Sequence, residues 1–170
     1  TREPGGTKAA ERIRELVLDA ELAISHKTET LLYLAARADH IAQLIKPALQ
    51  AGKIVLCDRF SDSTFVYQGS GRGVELETLR MLDDFATSSL HPDLTILLDG
   101  EPEELAIRRN ARGVVDRFEL EGLAFQKKIR EAFLALAASE PARIHVIDAL
   151  QPEEKVTEEI LADLQRLLVK

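Results

Sequence analysis

Three short apolar runs, each closed by an aspartate, constrain this chain more than any other feature. They are KIVLC followed by Asp58, DLTILLD over 93–99 and RIHVID over 143–148. An apolar run of that length suits a strand buried on both faces, and such strands belong to parallel sheets covered by helices. The stretches between the runs supply the helices. Ala9, Ala10, Ile13, Leu16 and Val17 recur at helical spacing over 7–18. Leu31, Leu32, Ala35, Ala36, Ile41, Leu44 and Ile45 do so over 29–50, where Pro47 is expected to kink or restart the helix and Gly52 to end it. Further helices are expected over 75–87, from Pro102 to Arg109, over 120–139, and from Pro152 to about 169. Buried strands alternating with helices predict an α/β fold with a parallel sheet, and 170 residues suit one domain.

Composition narrows the function. A net charge of −7 argues against nonspecific binding to nucleic acid or to an anionic membrane. No apolar run approaches membrane-spanning length. The single Cys57 excludes an intrachain disulfide and fits a reducing, cytoplasmic compartment. It lies in an expected buried strand and reads as inert. His26, His40, His91 and His145 lack metal-like spacing and read as structural or exposed. TREPGGT at 1–7 is no leader pattern. It reads as the exit of a strand into a turn, so the protein is expected to begin upstream of Thr1.

Open α/β sheets bind ligands at the carboxyl ends of their strands, which here carry Asp58, Asp99 and Asp148. Asp58 opens the stretch DRFSDSTFVYQGSGRG, 58–73. Alone, an aspartate closing a strand serves as a turn cap more often than as a magnesium-orienting acid. Its neighbours add chemistry. Arg59 can fork onto a phosphate, and Ser61, Ser63 and Thr64 can donate to its oxygens. Tyr67 offers a flat ring, and the Gln68 amide both donates and accepts, as a base edge demands. Gly69, Gly71 and Gly73 permit close backbone approach. A second basic stretch, RRNARGVVDRFE over 108–119, places Arg108, Arg109, Arg112 and Arg117 around Gly113.

Several ordered blocks together resemble bacterial thymidylate kinase: TREPGGT at 1–7, LLYLAAR at 31–37, DRFSDST with YQGSGRG over 58–73, PDLTILLD at 92–99, RNARG with DRFE over 109–119, and IDA at 147–149. The resemblance spans nearly the whole chain. It implies a three-layer P-loop NTPase-type fold with strand order 2-3-1-4-5, and transfer of the γ-phosphoryl group of ATP to dTMP with magnesium, for dTTP synthesis. It further implies that Arg2, Glu3, Pro4, Gly5 and Gly6 line the acceptor phosphate and sugar. Tyr33 would stack on thymine and Arg37, one turn on, would bond the base edge; without the family, Tyr33 reads as a helix-core aromatic and Arg37 as a solvated charge. Arg59 would grip the acceptor phosphate, and Asp58 would hold magnesium through water or hold Arg59. Ser63 would contact the monophosphate, Tyr67 would pack near the sugar 2′ carbon, and Gln68 would read the thymine amide edge. Phe60 replaces the family's common Tyr, keeping the ring and losing a hydroxyl.

The segment 108–119 would be a lid whose arginines stabilise the transferring phosphoryl group or, for Arg108 or Arg109, stack on adenine. It resembles the family form that carries its catalytic arginine there, with Asp116 and Glu119 orienting the arginines. Adenine would sit near Ala149. The family commonly forms homodimers, for which the apolar helix faces of 7–18 and 29–50 are candidates. The glycine-rich donor-phosphate motif G-x-x-x-x-G-K-[ST] does not occur. The expectation is that a β-α-β unit of roughly 30 or more residues precedes Thr1, and that the 170 residues alone are not a competent kinase. A non-catalytic nucleotide-binding remnant, or a kinase for another nucleoside monophosphate, are the alternatives.

Overall fold

The computed structural model describes residues 1–110 and 121–169, with side chains through residue 107 and from 121 on. They fall into two compact units, residues 1–91 and residues 92–110 with 121–169.

The first unit begins with a backbone pairing. The Thr1 amino group donates to the Leu56 carbonyl at 2.8 Å, Asp58 N–H to Thr1 at 3.0 Å, and Glu3 N–H to Asp58 at 2.9 Å. After Glu3 the chain turns through a cis peptide to Pro4, then through Gly5 and Gly6 at positive φ. Helix α1 (Lys8–Leu18) follows, its first turn capped by the Thr7 hydroxyl, which accepts from Ala10 N–H. Helix α2 (His26–His40) is capped by Ser25 in the same way and packs on α1.

The helix expected over 29–50 is one continuous path with a defect in it. A π-helical segment, Ile41–Ile45, joins α2 to the short α3 (Lys46–Gln50). Pro47 has no N–H and its ring crowds the preceding turn, so the widened turn stands where a regular ladder cannot continue. Gly52, at φ 71°, closes α3: its N–H reaches Leu49 O, and Lys53 N–H reaches Ala48 O at 3.0 Å.

One expectation fails in the next stretch. Residues 53–57 are not a strand; the run meets Thr1–Glu3 through one isolated parallel bridge, Arg2 to Asp58. A strand exists only through its ladder, and among the described residues this run makes one isolated bridge. Ile54 and Leu56 are each 65% exposed, and Cys57 is half-buried, not enclosed. The polar stretch after Asp58 is helical: α4 (Ser61–Thr64) runs into a second π-helical segment, Phe65–Gly71. Gly69 lets the next helix, α5 (Leu76–Thr87), approach, since a Cβ there would lie 2.9 Å from Leu76 Cδ2.

The second unit holds a parallel pair, as the apolar runs predict. Strand β1 (Thr95–Asp99) pairs with β2 (Ile144–Asp148) in register from Thr95↔Ile144 to Asp99↔Asp148. Parallel neighbours need a helical crossover, and α6 (Pro102–Asn110) and α7 (Gly122–Ser139) lie between them in sequence. Helix α7 packs on both strands and α8 (Glu153–Leu168) on β2. Ile129, Ala137, Ile144 and Ile147 form the buried centre. No helix among the described residues is long and apolar enough to cross a membrane.

The carboxylate of Asp99 is engaged by Arg130, whose Nε and Nη2 donate at 2.8 and 2.9 Å. Those bonds, with the Arg130 charge and the Gly100 amide, hold the carboxyl below its usual value against the opposing effect of burial. A carboxyl held low in the fold contributes stability in full above about pH 4, its unfolded value. That contribution is lost as pH falls through the lower folded value. Asp99→Asn should therefore reduce the free energy of unfolding by about 1.5–3 kcal/mol at pH 7. The difference from wild type should shrink toward pH 3 in urea melts.

Candidate functional site

Four segments of the first unit converge on a pocket enclosing about 530 Å³, part of it open to solvent. The turn contributes Glu3 and Pro4, and α1 contributes Arg14 and Leu18. Tyr33 and Arg37 come from α2, where residues four apart share one helix face. The stretch 59–68 contributes Arg59, Ser63, Thr64, Tyr67 and Gln68. A π-helical turn carries Tyr67 and Gln68; such turns shift side chains off the regular helical face and recur at functional sites.

Arg37 organises the pocket floor. Its Nε donates to Glu3 Oε2 at 2.7 Å, and its Nη1 donates to Thr64 Oγ1 at 2.9 Å and Asp83 Oδ1 at 2.7 Å. The Phe60 ring centroid lies 5.2 Å from its Cζ. Glu3 is shared: its Oε1 accepts from His40 Nδ1 at 3.0 Å. A carboxylate only accepts, so that nitrogen carries hydrogen. Thr1 Oγ1 lies 2.7 Å from the other ring nitrogen. Arg37, Glu3, His40 and Asp83 are all buried. Isolated charges in such a place cost several kcal/mol each, which only mutual pairing offsets.

Arg59 stands at the pocket rim with φ 64°, a left-handed conformation for a residue with a side chain. Strain of that kind concentrates at functional sites. Its guanidinium lies 5.0 Å from the Tyr67 ring centroid. Partial burial works against its charge, but Tyr67, Asp58 and Tyr33 outweigh it and hold the pKa above the ordinary value. Gln68 is buried, and its amide nitrogen donates to Glu29 Oε1 at 3.2 Å. Only the remaining edge of the amide is open to other partners. Asp58 is exposed at the end of the extended run.

Three of the residues expected at the ligand build the turn itself. Arg2 pairs with Glu11 at 2.9 and 3.1 Å, and the same carboxylate accepts from Gly6 N–H at 2.9 Å. Gly5 and Gly6 supply the positive φ values of that turn. Arg112 and Arg117, the side chains of Arg108 and Arg109, and Asp116 and Glu119 lie outside the described residues. Ala149 follows β2 in the second unit, where its N–H donates to Asp99 O at 2.7 Å.

Sequence reasoning missed Arg14, Leu18, Glu29, His40 and Asp83. Arg14 donates to Pro4 O at 2.9 Å and lines the pocket. Asp83 left a legible signal: with Leu79 and Ala86 it forms the buried stripe of α5, where an acid is out of place. Glu3, His40 and Cys57 form the one acid/His/Cys group among the described residues close enough to share a metal ion. It is poorly suited to one. Arg37 and His40 already engage Glu3, and burial, reinforced by the Glu3 charge, pushes the Cys57 thiol up to about 12. The thiolate a metal needs is therefore disfavoured.

Comparison with known proteins gives one consistent result. Residues 1–160 match the family model described as Thymidylate kinase. The chain is 50% identical over 169 residues to the thymidylate kinase of Pseudomonas fluorescens strain Pf-5, covering 99% of this chain and 80% of that protein. It is 51% identical to that of Pseudomonas fluorescens strain SBW25, with the same coverage. The crystal structure of thymidylate kinase from Ehrlichia chaffeensis matches with a TM-score of 0.77 and 33% identity, over 97% of this chain and 79% of that one.

Gly6 should tolerate no side chain. A Cβ there would meet His40 Nε2 at 2.5 Å and Thr1 Oγ1 at 2.7 Å, on a backbone at φ 85°. Gly6→Ala should destabilise the fold by about 1–3 kcal/mol, read as a lowered midpoint in chemical denaturation.

Proposed function

The chain belongs to the thymidylate kinase family, and from that premise we propose that the pocket of its first unit is the dTMP site. There the 5′-phosphate of the nucleotide accepts the γ-phosphoryl group of ATP, giving dTDP and ADP. The observation that carries the assignment is Arg37: a buried guanidinium fixed from three sides, one helical turn after Tyr33, on the pocket floor.

Each side chain then has a task. Tyr33 provides a flat face for the thymine ring, and Arg37 donates to the base edge. Tyr67 packs against the sugar near its 2′ carbon, where a ribose hydroxyl would lose its water without gaining a partner. Gln68 offers the free edge of its amide to the base. Arg59, with Ser63 beside it, grips the monophosphate and aligns its oxygen for in-line attack. The left-handed backbone at Arg59 aims that grip before the ligand arrives.

The family uses ATP as phosphoryl donor. Magnesium takes oxygen ligands and keeps several of its waters, which the exposed carboxylate of Asp58 suits. When bound, it would neutralise charge on the phosphate oxygens. Arg108, Arg109, Arg112 and Arg117 are proposed, from their sequence pattern, as the donor-side cations, and Ala149 as part of the adenine site.

A homodimer in the cytoplasm completes the reading. Its support is the exposed apolar surface of the first unit, with Leu31 at 55%, Met81 at 65% and Phe85 at 86% exposure. Light scattering should return twice the chain mass.

The activity reading rests on two measurements. In the full-length enzyme, Arg59→Ala should cut dTMP turnover by about 10²–10³ with an unchanged circular dichroism spectrum. Near-normal turnover would remove Arg59 from the site. Across dTMP, dUMP, UMP and dGMP, UMP and dGMP should be poor acceptors; equal use of UMP would overturn the sugar assignment to Tyr67.

A further inference from the structure

We propose that Asp83 is a positioning residue for nucleobase recognition: from helix α5 it locks the Arg37 guanidinium in the one orientation that discriminates a base carbonyl from a base amino group. The proposal rests on the dTMP reading of the pocket.

The donor count of Arg37 is the starting point. A guanidinium has five N–H donors in a planar fork, one on Nε and two on each terminal nitrogen. The Nε donor goes to Glu3. The two on Nη1 go to Thr64 and Asp83. Both remaining donors sit on Nη2, on a residue that lines the pocket. Bonds from two different nitrogens to three partners also stop the planar group from rotating. From Arg37 a ligand therefore meets a pair of donors and no acceptor. A carbonyl oxygen satisfies that nitrogen, whereas an amino group opposes it donor to donor.

The burial of Asp83 supports a role beyond packing. It is 1% exposed, in a helix stripe shared with Leu79 and Ala86. Desolvating a carboxylate there costs more than an apolar residue would. Glu3 already supplies one negative charge to balance Arg37. A second carboxylate at 2.7 Å is in excess of that balance, and what it adds is direction. Its helix lies in sequence beyond every residue that touches the pocket, so the orientation of Arg37 depends on how α5 packs against α2.

The test is a binding cycle read by calorimetry on the whole protein. Two ligands differ only at the base edge: dTMP has a 4-carbonyl and an N3–H, and 5-methyl-dCMP a 4-amino group and a bare N3, so the reading is the change in preference on substituting Asp83. Wild type should prefer dTMP by about 100-fold. Asp83→Ala should cut that preference by about tenfold, and Asp83→Asn, which keeps an acceptor oxygen without the charge, by less. Should the alanine variant fail to fold, the asparagine variant decides. A wild-type protein with no preference overturns the base-edge reading of the pocket, and this proposal with it. A wild-type preference that persists undiminished in the folded variants overturns the positioning role alone. Loss of the cooperative melt in both variants would make Asp83 a core residue and also overturn it.

Discussion

A full positive charge at 3% side-chain exposure has to be answered by the chain around it, and much of the first unit is arranged as the answer to Arg37. Glu3 arrives from the turn before α1, Thr64 from α4, and Asp83 from α5. Phe60 covers the flat face. Removing one member of such a set leaves a buried charge uncompensated, which costs more than the intact pair contributes. The consequence is cooperative. The register of the first turn, the helical path of 61–71 and the docking of α5 must all be right together, or none of the bonds closes. That same demand leaves the pocket side of Arg37 preorganised, so a ligand need not bear the cost of ordering it.

The three strand-end aspartates show how far one pattern can diverge once folded. Asp58 remains exposed, next to an arginine in a left-handed conformation. Asp99 is taken up by a bidentate pair with Arg130. Asp148 accepts from the Leu150 N–H at 2.8 Å and serves its own turn. In sequence each is an acid closing an apolar run. What separates them is whether a cation from another element, or a nearby amide, reaches the carboxylate first.

Much of the architecture could be read from residue order. The α1 start at Thr7, the break near Pro47, the end at Gly52, the span of α5 and the parallel pairing of 95–99 with 144–148 agree with their local signals. Of the residues expected at a ligand, Glu3, Pro4, Tyr33, Arg37, Ser63, Tyr67 and Gln68 line one pocket. For Arg2, Gly5 and Gly6 residue order did not show the local role, because a Pro-Gly-Gly turn looks the same whether or not an imidazole packs against it. Gly6 admits His40. The stretch after Asp58 hides its local structure as well. Its glycines and hydroxyl residues suggest a loop, yet it winds into a helix whose π turn no local pattern announces.

What the sequence by itself determined is whatever depends on contacts a few residues apart: helix periods, caps, turn glycines and the segments able to carry a ligand wall. Those follow from bonds between near neighbours and from side-chain periodicity. Tertiary structure alone decided which carboxylates hold Arg37, that His40 stands behind Glu3, and that the run 53–57 is no strand but leads into one bridge at Asp58. Ion pairs in the core and ladders in a sheet join residues far apart in the chain. Each exists only when packing brings its distant partner within about 3 Å, and no order of residues states that distance.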